Sequence, residues 1–166
     1  FQTTRTLALE GTSQVGSNRY EFVRTPEVLS AGRWTHIAAV VGPETLKLFV
    51  DSVLMPTNIL GGGFSPAQVQ AASRGERRNY LGLSRFWDIR ENVDADFRGQ
   101  MREVRLWAGH RTETQILENM FKTLTGKEQG LVALWNFEDG GANGVVKDLS
   151  SGGHDGKLRG NAKVVA

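Results

Sequence analysis

The chain has 166 residues, a length typical of one domain and too short for two large ones. Lys and Arg number 20 against 18 Asp and Glu, and a net charge of +2 gives no single-sign field of the kind a nucleic acid follows. With 39% hydrophobic residues, 20 Gly against 4 Pro and no Cys, the composition is that of a globular, turn-rich chain and excludes disulfide frameworks, thiolate zinc sites and cysteine nucleophiles.

Phe1-Gln2-Thr3-Thr4 carries neither an initiator Met nor the basic and apolar regions of a signal peptide, so the segment is expected to begin inside a longer chain. Alternation with period two predicts strands at Thr6 to Glu10, Tyr20 to Arg24, Arg33 to Gly42, Leu46 to Asp51 and Tyr80 to Ser84. Arg33 to Val41 is apolar on both faces and reads as a central strand covered on both sides. Its aliphatic run, Ile37 to Val41, is the longest uninterrupted one and falls far short of the roughly 20 residues a membrane helix needs. In Leu46 to Asp51, the residues Leu46, Leu48 and Val50 share one face, the pattern of a strand whose other side is wet.

Gly61-Gly62-Gly63 and Gln68 to Arg78 break this rhythm and predict an extended loop, with a helical turn at Ser65 to Ala72. Arg74, Arg77, Arg78, Arg85 and Arg90 are interleaved with Glu76, Asp88 and Glu91, a solvated mixed face rather than a nucleic-acid groove. Thr112 to Leu124 has helical period: Thr112 caps, Gln115 reaches back, and Ile116, Leu117, Met120, Phe121 and Leu124 form an apolar stripe that Gly126 stops. Leu131 to Phe137 returns to strand, the turn-rich Glu138 to Asn143 follows, and the end of the chain, Gly156 to Val165, is expected to pack back as a strand. Many strands and one short lateral helix predict an all-β, antiparallel two-sheet sandwich spanning residues 1–166 as a single domain.

Several of these segments, in order, resemble the laminin-G-like jelly roll of the concanavalin A-like lectin/glucanase superfamily, and the resemblance covers nearly the whole chain. Gly32-Arg33-Trp34-Thr35-His36-Ile37-Ala38 is similar to the family's W-x-H-[hydrophobic]-A strand, and Leu48-Phe49-Val50-Asp51-Ser52 to its L-Y-V-D-G hairpin. Ser52 replaces the usual Gly, and since Ser meets a steric cost at positive φ, a turn longer than two residues is expected. Phe97 to Trp107 resembles the family's F-x-G-x-I-D-E-V-R-I-W strand, the most specific match. Leu134 to Glu138 and Lys147 to Gly156 resemble elements that open the module in many relatives; here they close it, which implies either a shifted register in a tandem array or a circular arrangement.

The superfamily also holds glycoside hydrolases, whose paired carboxylates flank the scissile bond on one strand. Their E-x-D-x-E signature is absent, and Glu103, between Arg102 and Arg105, reads as one half of a surface ion pair. His36, His110 and His154 show no metal-ligand spacing, there is no G-x-S-x-G nucleophile elbow, and Gly61-Gly62-Gly63 lacks the Lys of a phosphate loop. Asn92, Asp94, Asp96 and Glu103 approach an EF-hand spacing, but Phe97 stands where the loop needs Gly; a calcium loop using Asp94 and Asp96 is the form of metal site the resemblance leaves open.

Trp34, Trp107 and Trp135 fall on predicted strands and are assigned to the core. Trp87, within Arg85 to Arg90, lies on a connection where its ring fits a sugar-stacking face with Arg85 and Arg90 as donors, and fits equally an anchor tucked under the loop. The resemblance thus implies a non-catalytic module that recognises glycan or protein in an extracellular, periplasmic or cell-surface chain, beside neighbouring domains and without membrane insertion. A glycoside hydrolase and a purely structural adhesion spacer are the alternatives.

Overall fold

The computed structural model describes residues 8–13, 19–42, 45–56, 58–60 and 97–165. In chain order these form β1 (Ala8–Ser13), β2 (Arg19–Arg24), β3 (Ile37–Gly42), β4 (Thr45–Val50), β5 (Val53–Leu54), β6 (Asn58–Leu60), β7 (Val104–Trp107), α1 (Glu113–Asn119), β8 (Leu131–Trp135), β9 (Val145–Val146) and β10 (Gly156–Lys157). All pairings between them are antiparallel, in the orders β1-β2-β6, β3-β4-β5, β7-β8 and β9-β10. The described residues are mostly β with one short helix, as the sequence pattern predicts. The predicted strand Tyr80 to Ser84, the loop before it and the helical turn at Ser65 to Ala72 lie outside the described residues.

The β3–β4 register sets the face on which the helix sits. Ala38 pairs with Phe49, so both side chains project to one side, and there Val40, Phe49 and Ile116 of α1 close into a buried cluster with Ala38 against it. Each of these buried apolar side chains stabilises the fold by roughly 1.5–3 kcal/mol. Two expectations change as a result. β4 is buried on both faces, since Leu48 and Val50 on one side and Phe49 on the other are all covered, because α1 shields the side expected to be wet. Conversely, among the described residues β3 has β4 as its strand partner and is covered only on the Ala38 and Val40 side, with Ile37 and Val41 exposed, where two covered faces were expected.

The hairpin from β4 to β5 is also tighter than Ser52 led us to expect. Val50 pairs with Val53, which leaves a two-residue turn with Asp51 at φ 48 and Ser52 at φ 65, the signs of a type I′ turn. The cost of the left-handed backbone is offset by the Asp51 carboxylate, which accepts from the His36 backbone N–H at 2.9 Å and from the Arg33 guanidinium.

α1 starts as predicted. Thr112 Oγ1 accepts from Gln115 N at 3.2 Å, while Gln115 Oε1 accepts from Thr112 N at 3.0 Å, completing a capping box. It ends at Asn119 rather than Leu124, because Arg105 Nη1 donates to Asn119 O at 2.8 Å and Arg105 Nη2 to Lys122 O, taking carbonyls that a further turn would use. The predicted stripe is therefore divided. Ile116 is buried under the helix, Leu117 and Phe121 are exposed, and Leu124 joins Leu131, Leu134 and Trp107 in a second cluster. Gly126 belongs to a later turn, where a Cβ would lie 1.9 Å from Leu149 O.

The end of the chain pairs for two residues, Gly156 and Lys157, and then turns through an Ala162 N to Arg159 O bond of 3.1 Å. Val164 nevertheless returns to the body, so close to Gly141 that a Cβ there would meet Val164 Cγ2 at 2.7 Å.

Candidate functional site

Arg85, Trp87, Arg90, Asp94 and Asp96, the binding and calcium residues expected from the sequence, lie outside the described residues. The described part of the fold presents a different aromatic site. A turn at Ala31-Gly32, with Gly32 at φ 74, delivers Arg33 and Trp34 ahead of β3. The sequence pattern assigns Trp34 to the core, but the strand begins three residues later and Trp34 is 61% exposed.

One residue away, Arg33 forms an ion pair with Asp51, whose Oδ1 also holds the His36 N–H at 2.9 Å. Asp51 N donates in turn to His36 O at 2.9 Å, so the turn and the segment bearing Trp34 are tied in both directions. The Arg33 and Asp51 side chains are 66% and 32% exposed, leaving guanidinium donors and carboxylate lone pairs facing water. Ile37 and Val53, which flank Val50 on one face of the sheet by register, are exposed beside this rim. The arrangement offers a flat apolar ring and a fixed donor–acceptor pair on backbone held by the sheet. Trp34 was missed because its motif reads as strand; the preceding Gly32 was the sequence signal that the chain turns there.

Glu103 and Arg105 do pair, but not on the surface. Arg105 Nε and Nη2 reach Glu103 Oε2 at 3.1 and 2.8 Å, and the two side chains are 11% and 16% exposed for Arg105 and Glu103 respectively. Glu103 stands at φ 53 just before β7, which is why the strand begins at Val104 rather than at Phe97. The pair serves the fold, since the same guanidinium also holds the Asn119 and Lys122 carbonyls at and just after the end of α1.

The Asp148 loop is a structural clasp. Asp148 accepts from Leu134 N (2.9 Å), Ser150 N (2.8 Å) and His154 N (2.8 Å), tying the closing motif to β8. Burial acts to raise its pKa, but these backbone donors outweigh it and bring the carboxyl down to about 2. Asp155 accepts from Asp148 N at 3.0 Å and pairs with Lys147, and Trp135 Nε1 donates to His154 O at 2.9 Å. Trp107 packs against the Leu124, Leu131 and Leu134 cluster as predicted, carrying Arg111 over its ring at 3.8 Å, whereas Trp135 is half-buried and joins neither core cluster. A shallow groove of about 440 Å³ runs past Gly126, Glu128, Leu131 and Leu149, but Glu128 spends both oxygens on Thr125 and Gly126. Among the described residues no cluster of His, Asp or Glu is arranged to hold a metal ion, and no helix is long and apolar enough to cross a membrane.

Antiparallel ladders with a lateral helix fit a jelly-roll sandwich. The chain belongs to the laminin-G-like family described as the concanavalin A-like lectin/glucanases superfamily, whose model matches residues 2–117. Comparison with curated proteins gives no match. Among solved structures, a candidate carbohydrate binding protein from Bacteroides ovatus is similar at 19% identity with a TM-score of 0.52, over 97% of this chain and 51% of that one. An S-layer domain-containing protein from Clostridium thermocellum (residues 221–444) is similar at 17% identity with a TM-score of 0.44, over 68% of this chain and 50% of that one. The chain spans about half the length of each.

Proposed function

We propose that the domain is a non-catalytic recognition module that binds glycan on the rim around Trp34. The observation that carries this reading is the 61% exposed Trp34 one residue from the fixed Arg33–Asp51 pair. A pyranose ring presents an apolar face bordered by hydroxyls. Trp34 covers the former, Arg33 donates to the latter and Asp51 accepts from them. The loop residues Trp87, Arg85 and Arg90 extend the binding surface in this reading, with Asp94 and Asp96 as calcium ligands.

The lectin-type fold and the carbohydrate-binding designation of the Bacteroides ovatus structure support the choice of glycan over a protein ligand. The burial of Glu103 against Arg105 supports recognition over hydrolysis. Such a module works outside the cytoplasm, in a secreted or surface chain beside other domains. A glycan array probed with the wild-type chain and with Trp34→Ala tests the proposal: binding to a defined set of glycans, lost in the variant, is expected. An array silent for both proteins, or one on which they bind alike, would refute it.

A further inference from the structure

Two side-chain atoms, His36 Nδ1 and Glu103 Oε1, are buried without a hydrogen-bond partner among the described residues. The first belongs to the segment that carries the proposed binding rim, two residues after Trp34. Past Ile37 and Val50 the β3–β4 register makes His36 and Asp51 the next pair, and the Asp51 N to His36 O bond realises it. Strand alternation then puts His36 on the side of Ala38 and Val40, where α1 packs through Ile116. The charged groups acting on the ring are Arg105 from β7, itself paired with Glu103, and Asp51 from the turn, itself paired with Arg33.

We infer that His36 is a proton-operated release for the Trp34 rim, loosening it in mildly acidic solution while the sandwich stays folded. The neutral imidazole tolerates its surroundings because Nδ1 demands little as an unpaired acceptor. Protonation turns Nδ1 into a donor with no acceptor, beside the cation of Arg105. The acceptor that also attracts it is Asp51, and an imidazolium drawn there competes with Arg33 for the carboxylate. Arg33 supplies the side-chain tie between the Trp34 segment and the turn, so its displacement leaves the rim held there by the two bonds at His36 N–H and His36 O alone. Burial first, then the Arg105 charge, hold the ring's pKa below 6.5 against the pull of Asp51, which sets the release on the acid side of neutrality.

The consequence for binding rests on the glycan reading; the loosening itself is read without ligand. NMR spectra of the full chain, recorded from neutral pH to about pH 4.5, follow the His36 ring and the Trp34 indole N–H, the latter identified by its loss in Trp34→Phe. The Trp34 signal is expected to move with the His36 midpoint, below 6.5, and to stay still in His36→Gln. Asp51→Asn keeps an acceptor for the His36 N–H but removes both the charge that favours protonation and the carboxylate that Arg33 and the imidazolium contest, so the His36 midpoint shifts to lower pH and the Trp34 signal no longer follows it. A wild-type Trp34 signal that ignores the His36 titration, or a Trp34 signal that still follows His36 in Asp51→Asn, overturns the inference, and the second variant decides if His36→Gln does not fold. If the rim titrates while affinity for an array-positive glycan stays flat over the same range, the release stands and the glycan reading fails.

Discussion

Asp148→Asn separates the charge of the Asp148 clasp from its shape. The carboxylate receives three backbone N–H groups, from Leu134, Ser150 and His154, and Leu134 is fully buried. Asparagine keeps one oxygen for Leu134 and Ser150 but turns an NH₂ toward the His154 N–H. A pKa moved from 3.8 to about 2 corresponds to about 2.4 kcal/mol of preference for the ionised form in the fold. Solvent screens this half-buried group, so the expected loss in the variant is about 1–2 kcal/mol at neutral pH. For a domain of this size each kcal/mol is worth about 2–4 °C in Tm. The sign of the pH dependence follows from the depressed folded value: the contribution is complete above the unfolded value of 3.8 and is lost as pH falls toward about 2. Urea melts of both proteins at neutral pH and at about pH 2.5 read this directly, the gap narrowing in acid. Equal stability at neutral pH, or a deficit that does not shrink in acid, would refute the argument.

Three further outcomes follow from the same structure. Arg105→Ala strands the mostly buried Glu103 carboxylate and frees the carbonyls of Asn119 and Lys122, so a loss of about 3–5 kcal/mol is expected in denaturant melts, with a smaller loss for the double variant Glu103→Gln, Arg105→Ala. Ser52→Gly removes a side chain at φ 65 and is expected to raise stability by up to about 1 kcal/mol, whereas a lowered Tm would contradict the turn geometry. The folded His36 pKa lies below 6.5, so the unfolded chain binds its proton first and stability falls as pH drops through 6.5 toward the folded value. His36→Gln should flatten that slope in thermal melts taken across the range.

Local signals in this chain were legible where the chemistry is local. The Thr112/Gln115 capping box, an ion pair at Glu103 and the packing of Trp107 were readable because each depends on residues a few positions apart or on a family motif that keeps them together, though the choice of Arg105 and the burial of the pair were not. What failed depends on distant partners. The helix was read to Leu124 because its apolar period continues, while the group that ends it, Arg105, comes from another strand. The wet face of β4 was a correct reading of the isolated strand, undone by Ile116 arriving from α1. The two-residue turn was discounted on Ser52 alone, when the stabilising groups are Arg33 and His36 N–H acting on Asp51. Trp34 was placed in the core on the same logic: its motif reads as strand, yet the ladder starts at Ile37. The loop signal at Trp87 falls on residues outside those described.

The central claim is that Trp34 contacts sugar, and isothermal titration of an array-positive glycan into wild type, Trp34→Phe and Trp34→Ala tests it most directly. Because Trp34 is 61% exposed, the alanine variant should keep a Tm within a few degrees of wild type. Its affinity should fall by about tenfold or more, equivalent to about 1.4 kcal/mol of lost stacking, with Trp34→Phe in between. Unchanged affinity in Trp34→Ala, or a loss matched by a collapse in Tm, would contradict it.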